Sequence, residues 1–350
     1  MEIEKGSLIK KGIPFLLLGL FVFLLYVHFF AGGFEELAAT FVLADPFYYS
    51  LAFITFLLST TFYSLTWWRL LHILSVKTTF RRPFLYTWVG AFVDLLIPAE
   101  SVSGEVSRTY LMHRDSNEDT GKIVASVVGH RILTTATNLG GMIIASALFI
   151  LLYHPAPLVV AFLLIIAGGT TVSLSVLLYL SLKKKATTRV VDWLVRLLKR
   201  LFKTRFAGTW LSSTARRMLK EFHEGISTLG ERPRELMVPA TFSVTAWLFD
   251  ILIAVFVFAS LRVSVPFSAI VIVYSISMVV QTIPAGIPGE VGLVEIVMTS
   301  LYRLLLPGFS PAIVALATIL IRALTLWAKL VISGVAVQWV GIKLLRGSPT

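Results

Sequence analysis

The chain has no cysteine in its 350 residues, which excludes disulfides, zinc–thiolate sites and thiol nucleophiles. It is also poor in charge. Only 14% of its residues are charged and 57% are hydrophobic, too little charge to cover the surface of a water-soluble protein of this length. Acids are the scarcer sign: 19 Asp and Glu face 31 Lys and Arg, a formal net charge of +12. That excess speaks to association with membrane surfaces, not to fold. Several enzyme signatures are missing: there is no Gly-rich P-loop, HExxH, G-x-S-x-G or DxD-type glycosyltransferase motif.

Long apolar runs are abundant. A spanning helix needs about 20 apolar residues. Six segments qualify, at roughly 13–31, 46–75, 122–153, 155–181, 236–261 and 310–340. The first follows Lys5, Lys10 and Lys11 and reads as a span, being longer than a signal-peptide h-region and without a clear cleavage site. The bias of Lys and Arg sets orientation. The basic N-terminus, the Arg69–Arg82 end of the second span, the 183–234 segment and the C-terminus are all expected on the cytoplasmic side of the cell membrane. Segment 183–234 carries fourteen Lys and Arg against four Asp and Glu. Parity then requires the interrupted stretch 83–115 to cross an even number of times, so it is expected to enter, turn at Pro98 and return. The stretch 265–307 is interrupted in the same way.

The two interrupted stretches resemble each other. "RPFLYTWVGAFVDLLIPAESVSGE" and "VPFSAIVIVYSISMVVQTIPAGIPGE" both begin at Pro-Phe, reach Ile-Pro-Ala and close on Gly-Glu. After each comes a span with an internal arginine: Arg131, Thr134 and Asn138 recur as Arg322, Thr325 and Lys329, a spacing that shares one helix face. The expected architecture is an all-α polytopic membrane protein, one integral membrane domain over 1–350. It has about six spanning helices plus two broken, re-entrant helical hairpins in an inverted-topology repeat. The first repeat covers 1–153 and the second 154–340, interrupted by a basic amphipathic insertion at 183–234. Arg189, Arg196, Lys199, Arg200 and Lys203 flank an apolar face that includes Trp193, as suits a helix in the headgroup layer, although a solvated charge run fits the composition too.

"IPAGIPGEVGLVE" at 283–295 is therefore read as a hairpin elbow. Irregular backbone at membrane depth is tolerated only where protein or a water-filled cavity surrounds it. Pro284 and Pro288 stop the incoming helix, and Gly286, Gly289 and Gly292 permit turn geometry. Pro98 and Gly104 mark the counterpart. A restarted helix offers free N–H groups and its dipole to an anion. Ionisable groups inside the bilayer are costly and mark ligand pathways or internal pairs. The candidates for substrate contact are Arg108, Arg131, Arg322, Glu105, Glu290, Glu295, His130, Asp250 and Lys329, with Asp94 a weaker one. Arginine–glutamate pairing between halves is the competing role. Tyr48, Tyr49, Trp67 and Trp68 fall where interfacial aromatic belts are expected, and the glycines at 140–141 and 168–169 suit close helix packing.

Taken together, "LLIPAESVSGEVSRTYLM…VVGHR" and "TIPAGIPGEVGLVE…LIRALT" resemble the lysylphosphatidylglycerol synthase transmembrane-region family of flippase-like domains over nearly the whole chain. The motif residues are Gly104, Glu105 and Arg108, then Pro288, Gly289, Gly292 and Glu295. The resemblance implies a membrane domain that moves a polar-headgroup lipid between leaflets. In some members it is fused to a soluble aminoacyl-transferase domain. These 350 residues hold none, so lipid aminoacylation is not expected of them.

The expected function is thus secondary lipid translocation, without an ATP site, cofactor, metal or catalytic residue. The partners would be anionic or zwitterionic phospholipid or a polyprenyl-phosphate-linked lipid, with no nucleic acid. Loss of charge at Arg131 or Arg322 is expected to abolish transport without unfolding. The alternatives are a membrane partner or regulator of a lipid-modifying or glycan-assembling enzyme, docked through the basic insertion, and an intramembrane transferase with a carboxylate base.

Overall fold

A computed structural model describes residues 42, 44–97, 102–202, 208–283 and 287–345. The expected first span, 13–31, and the elbow residues Pro98, Pro284 and Gly286 lie outside the described residues.

Every regular element described is a helix. α1 (Pro46–Ile73) is followed by a pair of shorter helices, α2 (Arg81–Leu96) and α3 (Val102–Ser116). Two long helices come next, α4 (Thr120–Tyr153) and α5 (Pro157–Leu182). The basic insertion forms α6 (Lys184–Phe202) and α7 (Gly208–Glu231). α8 (Pro233–Ser260) leads to the second interrupted stretch, made of α9 (Phe267–Val280), a single 3-10 turn (Pro288–Glu290) and α10 (Leu293–Leu305). The last span runs through α11 (Pro311–Arg322), a π-helical segment (Ala323–Ala328) and α12 (Lys329–Leu345).

Local sequence explains where the spans start. α1, α5, α8 and α11 each open on a proline, whose fixed φ suits the first helical turn and whose missing N–H leaves nothing unpaired there. Asp45 adds an N-cap by accepting from the Phe47 N–H at 2.9 Å. Five helices are long and apolar enough to cross a membrane: Pro46–Ile73, Thr120–Tyr153, Pro157–Leu182, Pro233–Ser260 and Pro311–Gly341. They coincide with five of the expected spans to within a few residues. The intervening helices are shorter. α9 has 14 residues, about 21 Å at the helical rise. That is less than the roughly 30 Å of a hydrocarbon core.

Packing orders the spans from centre to rim. In their most apolar stretches, 61% of the residues of the last span are buried but only 17% of those of α5, with Leu158, Leu164, Ile165 and Val172 turned outward as lipid-facing residues are. α1 and α8 lie antiparallel: Asp45 N–H donates to the Ser260 carbonyl at 2.8 Å, Ser59 meets Asp250, and Phe62 packs on Phe242 and Phe249. The buried apolar side chains form two clusters. One joins α1, α4, α8, α9, α10 and α11, the other the distal end of α1, α2, α3, the start of α4 and α7.

α2 and α3 form a closed antiparallel hairpin, as expected. A Cβ on Gly104 would sit 2.5 Å from the Gly90 carbonyl oxygen, so these backbones touch only because both residues are glycine. At the far end Asp115 takes Arg82 at 2.8 Å and the Tyr86 hydroxyl at 3.0 Å.

The insertion is no uniform solvated charge run. α7 buries Phe222, Ile226 and Leu229 against the start of α4, and its Glu221 accepts the Gly121 N–H at 3.1 Å. A Cβ on Gly121 would collide with Glu221 and the Met218 carbonyl. α6 keeps Val190 and Trp193 exposed. Of the small-residue stretches, Gly141 does admit a neighbour, the Trp247 ring, whereas Gly140, Gly168 and Gly169 face open space.

Candidate functional site

The first elbow gathers four polar side chains from two helices. Glu105 lies on the first turn of α3 and Arg108 one turn on, while His130 and Arg131 are consecutive on α4. Arg131 Nη1 donates to Glu105 Oε1 at 3.1 Å, and Arg108 Nη2 lies 3.8 Å from the same oxygen. Arg108 is only 4% exposed, yet its nearest carboxylate is shared. The rest of its shell is aromatic: its guanidinium carbon stands 4.9 Å from the Trp67 ring centroid and 5.9 Å from that of Tyr63. His130 is fully buried, with its ring 4.2 Å from that of Tyr63 and its Nδ1 3.3 Å from Arg108 Nη1. The Nε of Arg108 and the Nε2 of His130 are buried without a hydrogen-bond partner.

Trp67 therefore does not join an interfacial belt. It is fully buried, donates through Nε1 to Ser126 at 2.9 Å, and forms the floor under Arg108. Tyr63 and Trp67, one turn apart on α1, were invisible as site residues, because an aromatic pair at helical spacing reads as ordinary core.

The second elbow uses similar groups in another way. Glu295, on the first turn of α10, is fully buried. Its Oε1 accepts Arg322 Nε at 2.7 Å, and its Oε2 accepts the Gly292 N–H at 2.7 Å. Arg322 Nη2 donates in turn to the Gly289 carbonyl at 2.8 Å. Gly289 (φ 62°) and Gly292 (φ 86°) occupy left-handed backbone, which is why glycine stands at both. Glu290 also lies there, at φ 49°, but the motif match that equates it with Glu105 does not carry over to the pairing. Arg322 bonds Glu295, five residues further on. The π segment begins directly after Arg322, as such segments often do at functional positions.

The expectation of bare N–H groups at the elbows requires correction. At the first, Asp94 Oδ1 on α2 accepts both the Gly104 N–H at 2.6 Å and the Ser103 hydroxyl at 2.7 Å. At the second, Glu295 fills that role. Each restarted helix already has a protein carboxylate at its N-terminus, so anion attraction falls to side-chain cations. The stripe Arg131, Thr134, Asn138 and its counterpart also resolve differently from one another. Thr134 and Thr325 bond their own helix carbonyls, and Asn138 reaches the Ser275 carbonyl at 3.4 Å. Asp250 and Lys329 are both half-buried, and neither joins the ion pairs of Arg131 or Arg322. No group of three His, Asp or Glu able to hold a metal occurs among the described residues.

The fold and the site define a multi-pass α-helical membrane protein whose two helical elbows are each tied by a glutamate to an arginine of the following span. A family model for the lysylphosphatidylglycerol synthase TM region matches residues 15–333, and the chain belongs to that family. Among similar proteins is the UPF0104 membrane protein PH1989 of Pyrococcus horikoshii, 26% identical over 330 residues, covering 92% of this chain and 96% of that one. UPF0104 membrane protein MJ1595 of Methanocaldococcus jannaschii is 24% identical over 311 residues, 86% of this chain and 87% of that one. One from Methanothermobacter thermautotrophicus is 22% identical over 298 residues, 85% and 87% of the respective chains. No solved structure matches the chain.

Proposed function

We propose that this protein moves a phosphate-bearing lipid headgroup between the leaflets of the cell membrane, as a secondary transporter with no chemical step of its own. The reading rests on one observation: two guanidiniums, Arg108 and Arg131, share the single carboxylate Glu105. Burying an unbalanced cation is costly. A phosphate entering from the lipid side supplies the missing negative charge, and guanidiniums bind phosphate in a forked geometry. Arg131 and Glu105 are 30% and 25% exposed, which leaves the cluster open to a headgroup. On this reading His130 and Arg108 form the buried wall, Arg131 the entrance, and Glu105 the group that a phosphate displaces or that greets a cationic headgroup. Arg322, Glu295, Gly289 and Gly292 hold the opposite elbow in shape. In the topology that accompanies this reading, both termini are cytoplasmic and the halves 1–153 and 154–340 are inverted counterparts.

The test is exchange of fluorescent anionic and cationic-headgroup lipids in proteoliposomes. Arg131→Gln is expected to slow anionic lipid movement about ten- to hundredfold, the worth of a charge-assisted contact of about 1.5–3 kcal/mol. Folded Arg131→Gln protein that moves anionic lipid at the wild-type rate overturns the proposal.

The second reading, a membrane partner of a lipid-modifying or glycan-assembling enzyme, draws on the exposed Trp193 and the basic face of α6. Because α7 is packed into the bundle, its test is removal of α6 alone. Loss of function in cells with purified lipid movement unaffected favours it.

A further inference from the structure

Asp94, Glu105, Asp250 and Glu295 are carboxylates well inside the hairpins and spans. Three of them accept N–H donors, from backbone at Asp94, from arginine at Glu105, and from both at Glu295. Asp250, in the middle of α8, is held by hydroxyls alone. Ser59 on α1 donates to its Oδ1 at 2.5 Å and Tyr274 on α9 to its Oδ2 at 2.9 Å. No Lys, Arg or His nitrogen lies within 4.0 Å of it among the described residues.

The difference in donor type matters chemically. An arginine or backbone N–H can only donate, so protonation weakens the bonds of a carboxylate it serves and adds a proton that the donor cannot accept. A hydroxyl both donates and accepts. The Ser59 hydroxyl can give its proton to the carboxylate or turn and accept one from the carboxylic acid. The shell of Asp250 thus fits both protonation states without rearranging any helix.

The groups that act on Asp250 come from three elements. Ser59 belongs to α1, with Tyr63 one turn further along. Tyr274 is from α9. Lys329, the first residue after the π segment, is the cation whose field reaches Asp250. α4 meets α8 about two turns nearer the start of α8, where Thr137 bonds Ser243 at 3.2 Å, and its His130 packs on Tyr63.

We propose that Asp250 is a proton-binding site, and that its loading and unloading couples lipid movement to a proton gradient. The inference rests on the transport reading above. The carboxylate takes a proton from water on the acidic side, the Ser59 hydroxyl turns to accept it, and the attraction of Lys329 lapses. In the opposite state the proton leaves to water on the alkaline side, and the Ser59 hydroxyl turns back to donate to the carboxylate. A metal cation would require more oxygen ligands than Asp250, Ser59 and Tyr274 supply, with both hydroxyl hydrogens directed at the carboxylate.

The experiment uses purified full chain in vesicles of anionic phospholipid, with a trapped pH dye and a fluorescent anionic lipid, under an imposed pH gradient or an imposed sodium gradient. One pH unit should bias wild-type lipid movement by up to about tenfold, the factor carried by one proton per lipid. In Asp250→Asn the ratio of rates with and without the gradient should fall below about twofold, and dye-reported proton flux should cease. Ser59→Ala, which leaves Tyr274 in place, should move the pH midpoint of the response. The proposal is overturned if Asp250→Asn keeps the wild-type ratio, if wild type moves lipid without proton flux, or if only sodium drives movement. Infrared difference spectra across pH give a readout independent of transport. A carboxylic C=O band that titrates in wild type and vanishes in Asp250→Asn supports the site even where no lipid moves, an outcome that counts against the transport reading alone. No titrating band specific to Asp250 overturns the site itself.

Discussion

At the first elbow two guanidiniums converge on Glu105, whose side chain is 25% exposed; at the second, one guanidinium and one backbone N–H saturate Glu295, which is fully buried. The residue types are the same and the charge balance is not. A matched, enclosed pair contributes mainly by being intact, because the desolvation of both ions offsets most of their attraction. An unmatched cation is tolerated where something else arrives to balance it. The second elbow thus fastens α10 to the last span, and the first keeps a cation in excess, the feature on which the proposed headgroup contact rests, although their sequences invite identical readings.

Breaking the fastener should have the largest effect on stability. Arg322→Gln leaves Glu295 charged and uncompensated in the interior, an expected loss of about 3–5 kcal/mol. Thermal unfolding in detergent should show it plainly, and the expectation that this variant would lose transport while remaining fully folded is replaced by one of lost stability. Glu105→Gln should cost visibly less in the same assay, since its partners are partly solvated. Equal losses from Arg322→Gln and Glu105→Gln would erase the distinction between the elbows.

Gly104→Ala comes next. Its Cβ meets the Gly90 carbonyl and the Asp94 side chain, so the α2–α3 hairpin must open. Overpacking of this kind costs about 1–3 kcal/mol. Protease accessibility of the hairpin should rise, and anionic lipid movement should fall with it. Gly289→Ala is milder. A left-handed φ of 62° costs an alanine about 1–2 kcal/mol, readable as a lowered unfolding midpoint with the Arg322–Glu295 pair intact. The smallest effect belongs to the exposed pair Lys220–Glu224 on α7, where Glu224→Gln should change stability by about 0.5 kcal/mol or less. A larger loss there would mean that α7 contributes more than its buried face.

Much of the fold is legible in the sequence. The five described spans follow from apolar length, and their starts from Pro46, Pro157, Pro233 and Pro311, since both signals are local. Glycine and proline marked both elbows for the same reason. Pairings were less accessible. Glu290 matches Glu105 in the motif, but Glu295 reaches Arg322, because the 3-10 turn and the left-handed Gly292 rotate the start of α10. Asp94 reads as a stray charge in an apolar run until α2 folds against α3 and places it on the Gly104 N–H. Trp67 reads as a belt residue until Arg108 is laid over it. The insertion reads as basic throughout, and only docking on α4 separates Phe222, Ile226 and Leu229 of α7, which are buried, from Val190 and Trp193 of α6, which are exposed.

By itself the sequence determined that this is a multi-pass helical membrane protein, where its spans run, and that two broken segments carry charge beside an arginine-bearing span. Each rests on chain-local physics: apolar length against bilayer thickness, the missing N–H of proline, the freedom of glycine. Which carboxylate meets which arginine, and therefore which elbow is a fastener and which retains a spare cation, was decided by the tertiary structure alone. Glu295 and Arg322 stand 27 positions apart, as Glu105 and Arg131 stand 26 apart, and only helix packing determines how many donors surround each carboxylate and how much water remains.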